Sequence, residues 1–198
     1  MTTEKMLVDV DVYLNAGVHI GTKFQNAYSK NFIQKAREDG LKIINLEQID
    51  HKLKVLINFI SSFKPNEIVI MGKRENAKKG LALLSKLTGI EVFTGRYFPG
   101  KLTNTNFEEF REYKAVLICD PLCDKNILNE AFEQGIFTAS FCDTNNLPNK
   151  LDLVVPLNNK GKSSIGLALH LITKGYLVNR KILNSKDFKY EVTDFTSE

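Results

Sequence analysis

The sequence has no tryptophan, only three cysteines and five prolines in 198 residues. Cys119, Cys123 and Cys142 are too few, and odd in number, for the disulfide framework of a small secreted scaffold. They also lack a close Cys-x-x-Cys knuckle, and Cys119 and Cys142 fall in or at the ends of apolar runs. They read as small buried hydrophobes rather than zinc ligands, so no metal is expected. No stretch approaches the ~20 consecutive apolar residues that span a bilayer, and Met1 to Asp11 lack the apolar core of a signal peptide. A cytoplasmic chain with no membrane partner is expected. Internal repeats and low-complexity runs are missing too. Gly-x-Gly-x-x-Gly does not open the first helix of the α/β pattern, and neither Ser nor Cys stands in a nucleophile elbow.

Charge of neither sign dominates: the formal net charge is +4 and the pI about 8.8. Its distribution says more. Lys150 to Tyr190 holds eight Lys or Arg against two acids, and Lys73 to Lys86 holds five against one. Acids gather near the ends, at Glu4, Asp9, Asp11, Glu191, Asp194 and Glu198. Two basic blocks in a small domain fit a polyanionic partner.

Hydrophobic residues make up 43% of the chain, enough for an ordinary core. Asp11 to Ala16 predicts a short helix stopped at Gly17. Phe32–Arg37 and Leu41–Leu46 predict two extended segments joined through Asp39-Gly40. Leu53, Leu56, Ile57 and Ile60 share one face of a helix over Ile49–Phe63. From there short apolar strands alternate with helices. Strands are predicted at Ile68–Met71, Ile90–Phe93, Ala115–Cys119, Ile136–Cys142 and Leu153–Val155. Helices are predicted at Glu75–Thr88, Lys125–Gln134 and Ser163–Val178, and Phe107–Lys114 reads as a charged link able to form a brief helix. This pattern predicts an α/β fold: a doubly wound, mostly parallel five-stranded sheet in flavodoxin-like order, helices on both faces, and a small N-terminal appendage. Residues 1–185 are expected to form one domain and 186–198 a polar, flexible tail.

In such a sheet, ligands gather beyond the carboxyl ends of the strands. Gly72-Lys73-Arg74 follows the first of the five strands, and Gly95-Arg96-Tyr97-Phe98-Pro99-Gly100-Lys101 the second. Asp120-Pro121 follows the third and Asp143-Thr144-Asn145-Asn146 the fourth. Pro156 to Ser164 follows the fifth. The last segment contains Gly161-Lys162-Ser163-Ser164, yet a phosphate loop needs glycine five positions before Gly161. Pro156 stands there and has no amide proton. The segment can still meet a backbone phosphate through Lys160, Lys162 and the helix N-terminus, with Asn158 and Asn159 as donors to phosphate or ribose; equally, these asparagines can satisfy the loop's own backbone. Arg96 can pair with phosphate while Tyr97 or Phe98 stacks on an unpaired base or simply packs under the turn.

These loops, taken together and in this order, resemble the small-subunit ribosomal protein two family in its archaeal and eukaryotic form, which includes the laminin-receptor-like ribosomal protein SA. The resemblance rests on Tyr13-Leu-Asn-Ala-Gly-Val-His-Ile-Gly-Thr22, Asp39-Gly-Leu-Lys-Ile-Ile-Asn-Leu46 and Gly95-Arg-Tyr-Phe-Pro-Gly-Lys-Leu-Thr-Asn104. It continues through Asp120-Pro121, Asp124-Lys125, Cys142-Asp-Thr-Asn145 and Pro156-Leu-Asn-Asn-Lys-Gly161 with Ser164. It runs from about Asp9 to Arg180. It implies a non-catalytic α/β domain without cofactor, packed on ribosomal RNA and neighbouring proteins on the solvent side of the small subunit, and helping to assemble it. The link Thr105–Tyr113 leaves no room for the coiled-coil insertion of the bacterial branch, and the short ends and Asp143 look archaeal. Thr105 in place of the usual Pro, and a closing helix without bulky aromatics, depart from the family pattern. The expected RNA-binding residues are Lys23, Lys73, Arg74, Arg96, Lys101, Asn158, Asn159, Lys160 and Lys162. The competing reading from fold alone is an enzyme or sensor binding a nucleotide or small anion at the strand ends.

Overall fold

A computed structural model describes residues 6–185 and 187–196. Its N-terminal part carries helix α1 (Val10–Asn15) and an antiparallel hairpin of β1 (Ile33–Ala36) and β2 (Lys42–Ile44). The expected turn closes the hairpin: Gly40 has φ +88°, and the Leu41 amide donates to Asp39 Oδ1 at 3.1 Å. Helix α2 (Leu46–Ser61) starts three residues before the expected Ile49, because the Asn45 side chain accepts the Glu47 amide at 2.9 Å and caps it. Asp50 of α2 is buried. Its Oδ1 accepts the Leu7 amide (2.8 Å) and the Tyr13 hydroxyl (2.9 Å), and its Oδ2 pairs with Lys54 at 2.9 Å. One carboxylate thus fastens the N-terminal segment to the main domain.

The main sheet consists of β3 (Ile68–Gly72), β4 (Glu91–Thr94), β5 (Ala115–Ile118), β6 (Phe137–Cys142) and β7 (Leu153–Pro156). Their order is β4-β3-β5-β6-β7, all parallel. This is the expected doubly wound arrangement, with the order reversing between β3 and β5. The crossover helices are α3 (Glu75–Thr88) and α4 (Lys125–Glu133), and α5 (Lys162–Asn179) closes the pattern.

Alternate strand residues point to opposite faces. Ile68, Ile70, Leu117 and Phe141 pack with α2, α3 and α5 in the larger core. Val69, Met71, Val116 and Ile118 face the other way, where Ile127, Leu128 and Ala131 of α4 cover them. The segment from Gly95 to Lys114 forms no helix, contrary to the expected brief one over Phe107–Lys114. Tyr97, Leu102 and Tyr113 nevertheless insert into that second core and do a helix's work. The segment is pinned by Glu130 of α4, which accepts the Tyr97 hydroxyl at 2.9 Å and the Gly100 amide at 2.8 Å.

The polar tail read from the sequence differs in its described part. Lys186, Ser197 and Glu198 lie outside the described residues, but a last helical turn, α6 (Val192–Phe195), buries Phe195 completely. A side-chain carbon on Gly80 of α3 would meet the Phe195 carbonyl at 2.8 Å, so glycine there permits the approach. His170 of α5 lies under the same segment, its Nε2 3.1 Å from the Tyr190 carbonyl and its ring against Phe188 and Phe195. The physical reason for the difference is apolar spacing: Phe188, Val192 and Phe195 recur at helical intervals within a charged background.

Phe195→Ala should therefore cost about 3–5 kcal/mol, as for other buried aromatics. Urea unfolding should show a lower midpoint, and an unchanged midpoint would mean that the segment contributes nothing. Burial holds the His170 pKa below its ordinary 6.5, opposed by the bond to Tyr190. A His depressed in the folded state favours folding above its unfolded pKa. Stability from this group should fall as pH drops below 6.5, and His170→Gln should remove that part of the slope.

Candidate nucleic-acid interface

Five parallel strands end at one edge of the sheet, which collects polar loops in a place largely shielded from water. Several of the described side chains there are bonded to one another. Asp120, after β5, is buried; its Oδ2 accepts Nε and Nη2 of Arg74 at 2.7 and 2.5 Å. Its Oδ1 accepts the Leu122 amide (3.0 Å) and Asn146 Nδ2 (3.2 Å). Asn146 Oδ1 in turn accepts the Asp143 amide (2.8 Å) and Asn159 Nδ2 (3.1 Å). The chain Arg74–Asp120–Asn146–Asn159 therefore joins the ends of β3, β5, β6 and β7. Burying these groups without such bonds would be costly, so each bond helps to hold the loops together, although Asn159 Oδ1 has no hydrogen-bond partner among the described residues.

The expected RNA-binding residues separate into two groups against this frame. Lys23, Lys73, Arg96 and Lys162 are exposed. Arg74 is engaged by Asp120. The Lys101 side chain is 15% exposed, paired with Glu109 and lying 4.7 Å over the Phe93 ring. Lys160 Nζ pairs with Asp143 at 3.2 Å and donates to Asn145 Oδ1 at 3.3 Å. Asn159 is 0% exposed, and its Nδ2 also donates to the Phe141 carbonyl. Asn158 Oδ1 accepts the amides of Lys160 and Gly161, both at 3.1 Å, while its Nδ2 donates to the Gly17 carbonyl. Asn158 thus satisfies the loop's own backbone, whereas Asn159 ties the loop to β6 and to Asn146. Asn158 also occupies two of the amides that a phosphate loop would turn toward its ligand.

Between the ends of β3 and β5, where the strand order reverses, lies an open groove of about 500 Å³. Lys73, Arg96 and Lys125 line it together with Asp124, the residue before α4. Asp124 was quoted in the sequence only as part of the resemblance, and an Asp in that position ordinarily caps its helix. Here it does not. It is 3% exposed, and neither oxygen has a hydrogen-bond partner. Burial raises its pKa to about 6; the Lys73 backbone amide, near but outside hydrogen-bond geometry, opposes the shift, and Asp120 adds to it. The groove thus joins three cations to one underused acceptor.

Cys119 and Cys142 are buried, as expected of small apolar groups, while Cys123 is half-buried. Burial pushes the Cys119 thiol up and that of Cys142 to about 12, and burial with the Asp120 charge raises Cys123. Such thiols are poor nucleophiles.

A family model described as Ribosomal protein S2 matches residues 13–112 and 106–178. The small ribosomal subunit protein uS2 of Nanoarchaeum equitans is 38% identical over 193 residues, covering 97% of this chain and 96% of the relative. The chain belongs to the ribosomal protein S2 family. Other uS2 relatives include that of Thermoplasma acidophilum, 36% identical over 98% of both chains, and that of Ignicoccus hospitalis, 37% identical over 89% of this chain and 84% of its own. This S2-family chain therefore matches archaeal relatives over nearly its whole length, as its motifs led one to expect.

The orphaned Asp124 yields a stability prediction. An acid whose folded pKa is raised destabilises the fold once it ionises, so its penalty appears as pH rises from about 4 to about 6 and stays constant above. Asp124→Asn should stabilise the protein at neutral pH by on the order of 2–3 kcal/mol, and by little near pH 4. Equal effects at both pH values in urea titrations would show that the carboxylate is not held in this way.

Proposed function

We propose that this protein is a structural constituent of the small ribosomal subunit that binds ribosomal RNA, helps assemble the subunit for translation and has no catalytic role. The observation that carries the reading is the exposed cations Lys23, Lys73, Arg96 and Lys162 spread along an edge whose loops are tied together by the Arg74–Asp120–Asn146–Asn159 network. Such an edge presents charge without rearranging itself. Membership of the S2 family and relatives named as small-subunit proteins support the same conclusion. Its partners are small-subunit RNA and adjoining small-subunit proteins, and its place is the ribosome in the cytoplasm. No helix among the described residues is long and apolar enough to cross a membrane.

Recognition works mainly through phosphate. Affinity for a small-subunit RNA fragment should fall with salt at a log–log slope of about −0.7 to −0.9 per neutralised phosphate. Replacing Lys23, Lys73 and Arg96 together with Gln should reduce that slope by roughly two to three units and lower incorporation into small subunits in competition with wild type. Normal incorporation and an unchanged slope, in a variant that melts normally, would refute this edge as the RNA face.

The groove beside Asp124 favours one competing reading, a small anionic ligand at the reversal of strand order. Against it, Gly72 serves packing rather than phosphate: a Cβ there would lie 2.5 Å from Leu81 of α3. No hydrolysis of nucleoside triphosphates is expected. Turnover that survives purification and disappears in Lys162→Ala would establish the enzyme instead.

A further inference from the structure

The charge pattern of the N-terminal part has no counterpart among the residues considered so far. From Val12 to Arg37 there is no Asp or Glu, while Lys23, Lys30, Lys35 and Arg37 all fall within the stretch. In its middle stands Phe24, 77% exposed, the most exposed large apolar side chain among the described residues. Its sequence neighbours Lys23 and Gln25 are exposed and polar.

The ring's stem is fixed. The Phe24 carbonyl lies within hydrogen-bond reach of two hydroxyls, Thr144 Oγ1 at 2.8 Å and Thr22 Oγ1 at 3.1 Å. The Thr22 amide donates to Thr144 Oγ1 at 3.0 Å, and Asn26 Nδ2 donates to the Asn146 carbonyl at 2.5 Å. Gly21 lets this strand come so close, since a Cβ on it would stand 2.6 Å from Thr144 Cγ2. Thr144 and Asn146 belong to the loop after β6, and Asn146 is a member of the buried network. Phe24 is thus carried on the edge of the main sheet and not on a loose loop. Lys160 bonds to Asn145, the residue after Thr144.

We propose that Phe24 is a stacking platform for an unpaired base of the bound RNA, with Lys23 and Lys30 holding the flanking phosphates. The proposal rests on the RNA-binding reading and deepens it. A rigid aromatic ring among cations, with no acid nearby in sequence, matches the way proteins hold single-stranded nucleic acid. The charges follow the backbone, and the ring takes a base whatever its identity. A paired base has both faces covered and offers the ring nothing.

The lack of tryptophan makes the test direct, because Phe24→Trp introduces a single reporter. The probes are a short oligoadenylate and a fully paired RNA duplex of the same length, with binding followed separately by the anisotropy of labelled copies. Oligoadenylate should quench the tryptophan, and bound duplex should not. Phe24→Leu, which keeps an apolar side chain but loses the aromatic face, should weaken oligoadenylate binding roughly tenfold, and Phe24→Tyr should bind like wild type. Binding by anisotropy without quenching, or Phe24→Leu binding as tightly as wild type, would overturn the stacking role and leave the RNA-binding reading standing. No anisotropy change with either RNA at low salt would remove both. A blue-shifted, unquenched tryptophan in assembled subunits would place the ring against a protein neighbour and likewise overturn the proposal.

Discussion

Everything at the carboxyl edge depends on Asp120. A carboxylate buried at the end of a central strand is tolerable only with its partners in place, and here they arrive from its own loop (Leu122) and from two other segments, Arg74 after β3 and Asn146 after β6. Asn146 then enlists Asn159 after β7. Each loop is held by a group that another loop needs. The usual cost of loops, their freedom before binding, is thereby settled within the fold, and the edge is already shaped before any partner arrives.

The two faces of the sheet are solved differently. On one, α5 lies buried along most of its length between α2 and α3, with the α6 turn sealing its end through Phe195. On the other, α4 works alone with a crossover that has no helix, and a single carboxylate, Glu130, gathers that crossover to the sheet. The flavodoxin-like order is compatible with both solutions because sheet pairing does not require each crossover to be helical, only that apolar residues such as Tyr97, Leu102 and Tyr113 cover Val69, Met71, Val116 and Ile118.

Strand order and element positions were legible because local signals agreed: short apolar runs at Ile68–Met71 and Ala115–Cys119, and stops at Gly17, Gly89 and Gly135, each of which has positive φ. The start of α2 was not, because β2 runs into it with only Asn45 between. The cations of the candidate site were legible as residue types. What each one does was not, because the partner that decides it is remote: Asn158 donates to Gly17, 141 positions away, and Arg74 to Asp120, 46 away. Phe24 illustrates the same limit from the other side. Its position in a basic stretch could be read, but its exposure follows from Thr144, over a hundred residues later.

The helix-free crossover has a dynamic consequence. Free energies of local opening vary across a fold with the apolar contacts and backbone bonds that must be broken. Between Gly95 and Lys114 the described backbone has no helical ladder, and the segment is held by Glu130, by the Arg111–Glu91 and Lys114–Glu67 pairs and by the buried Tyr97, Leu102 and Tyr113. This stretch can lift from the sheet as a unit while the face under α2, α3 and α5 stays closed, so its amides should exchange with solvent by sub-global opening long before those of β3 and β5. The two sides of the sheet thus differ in how readily they open.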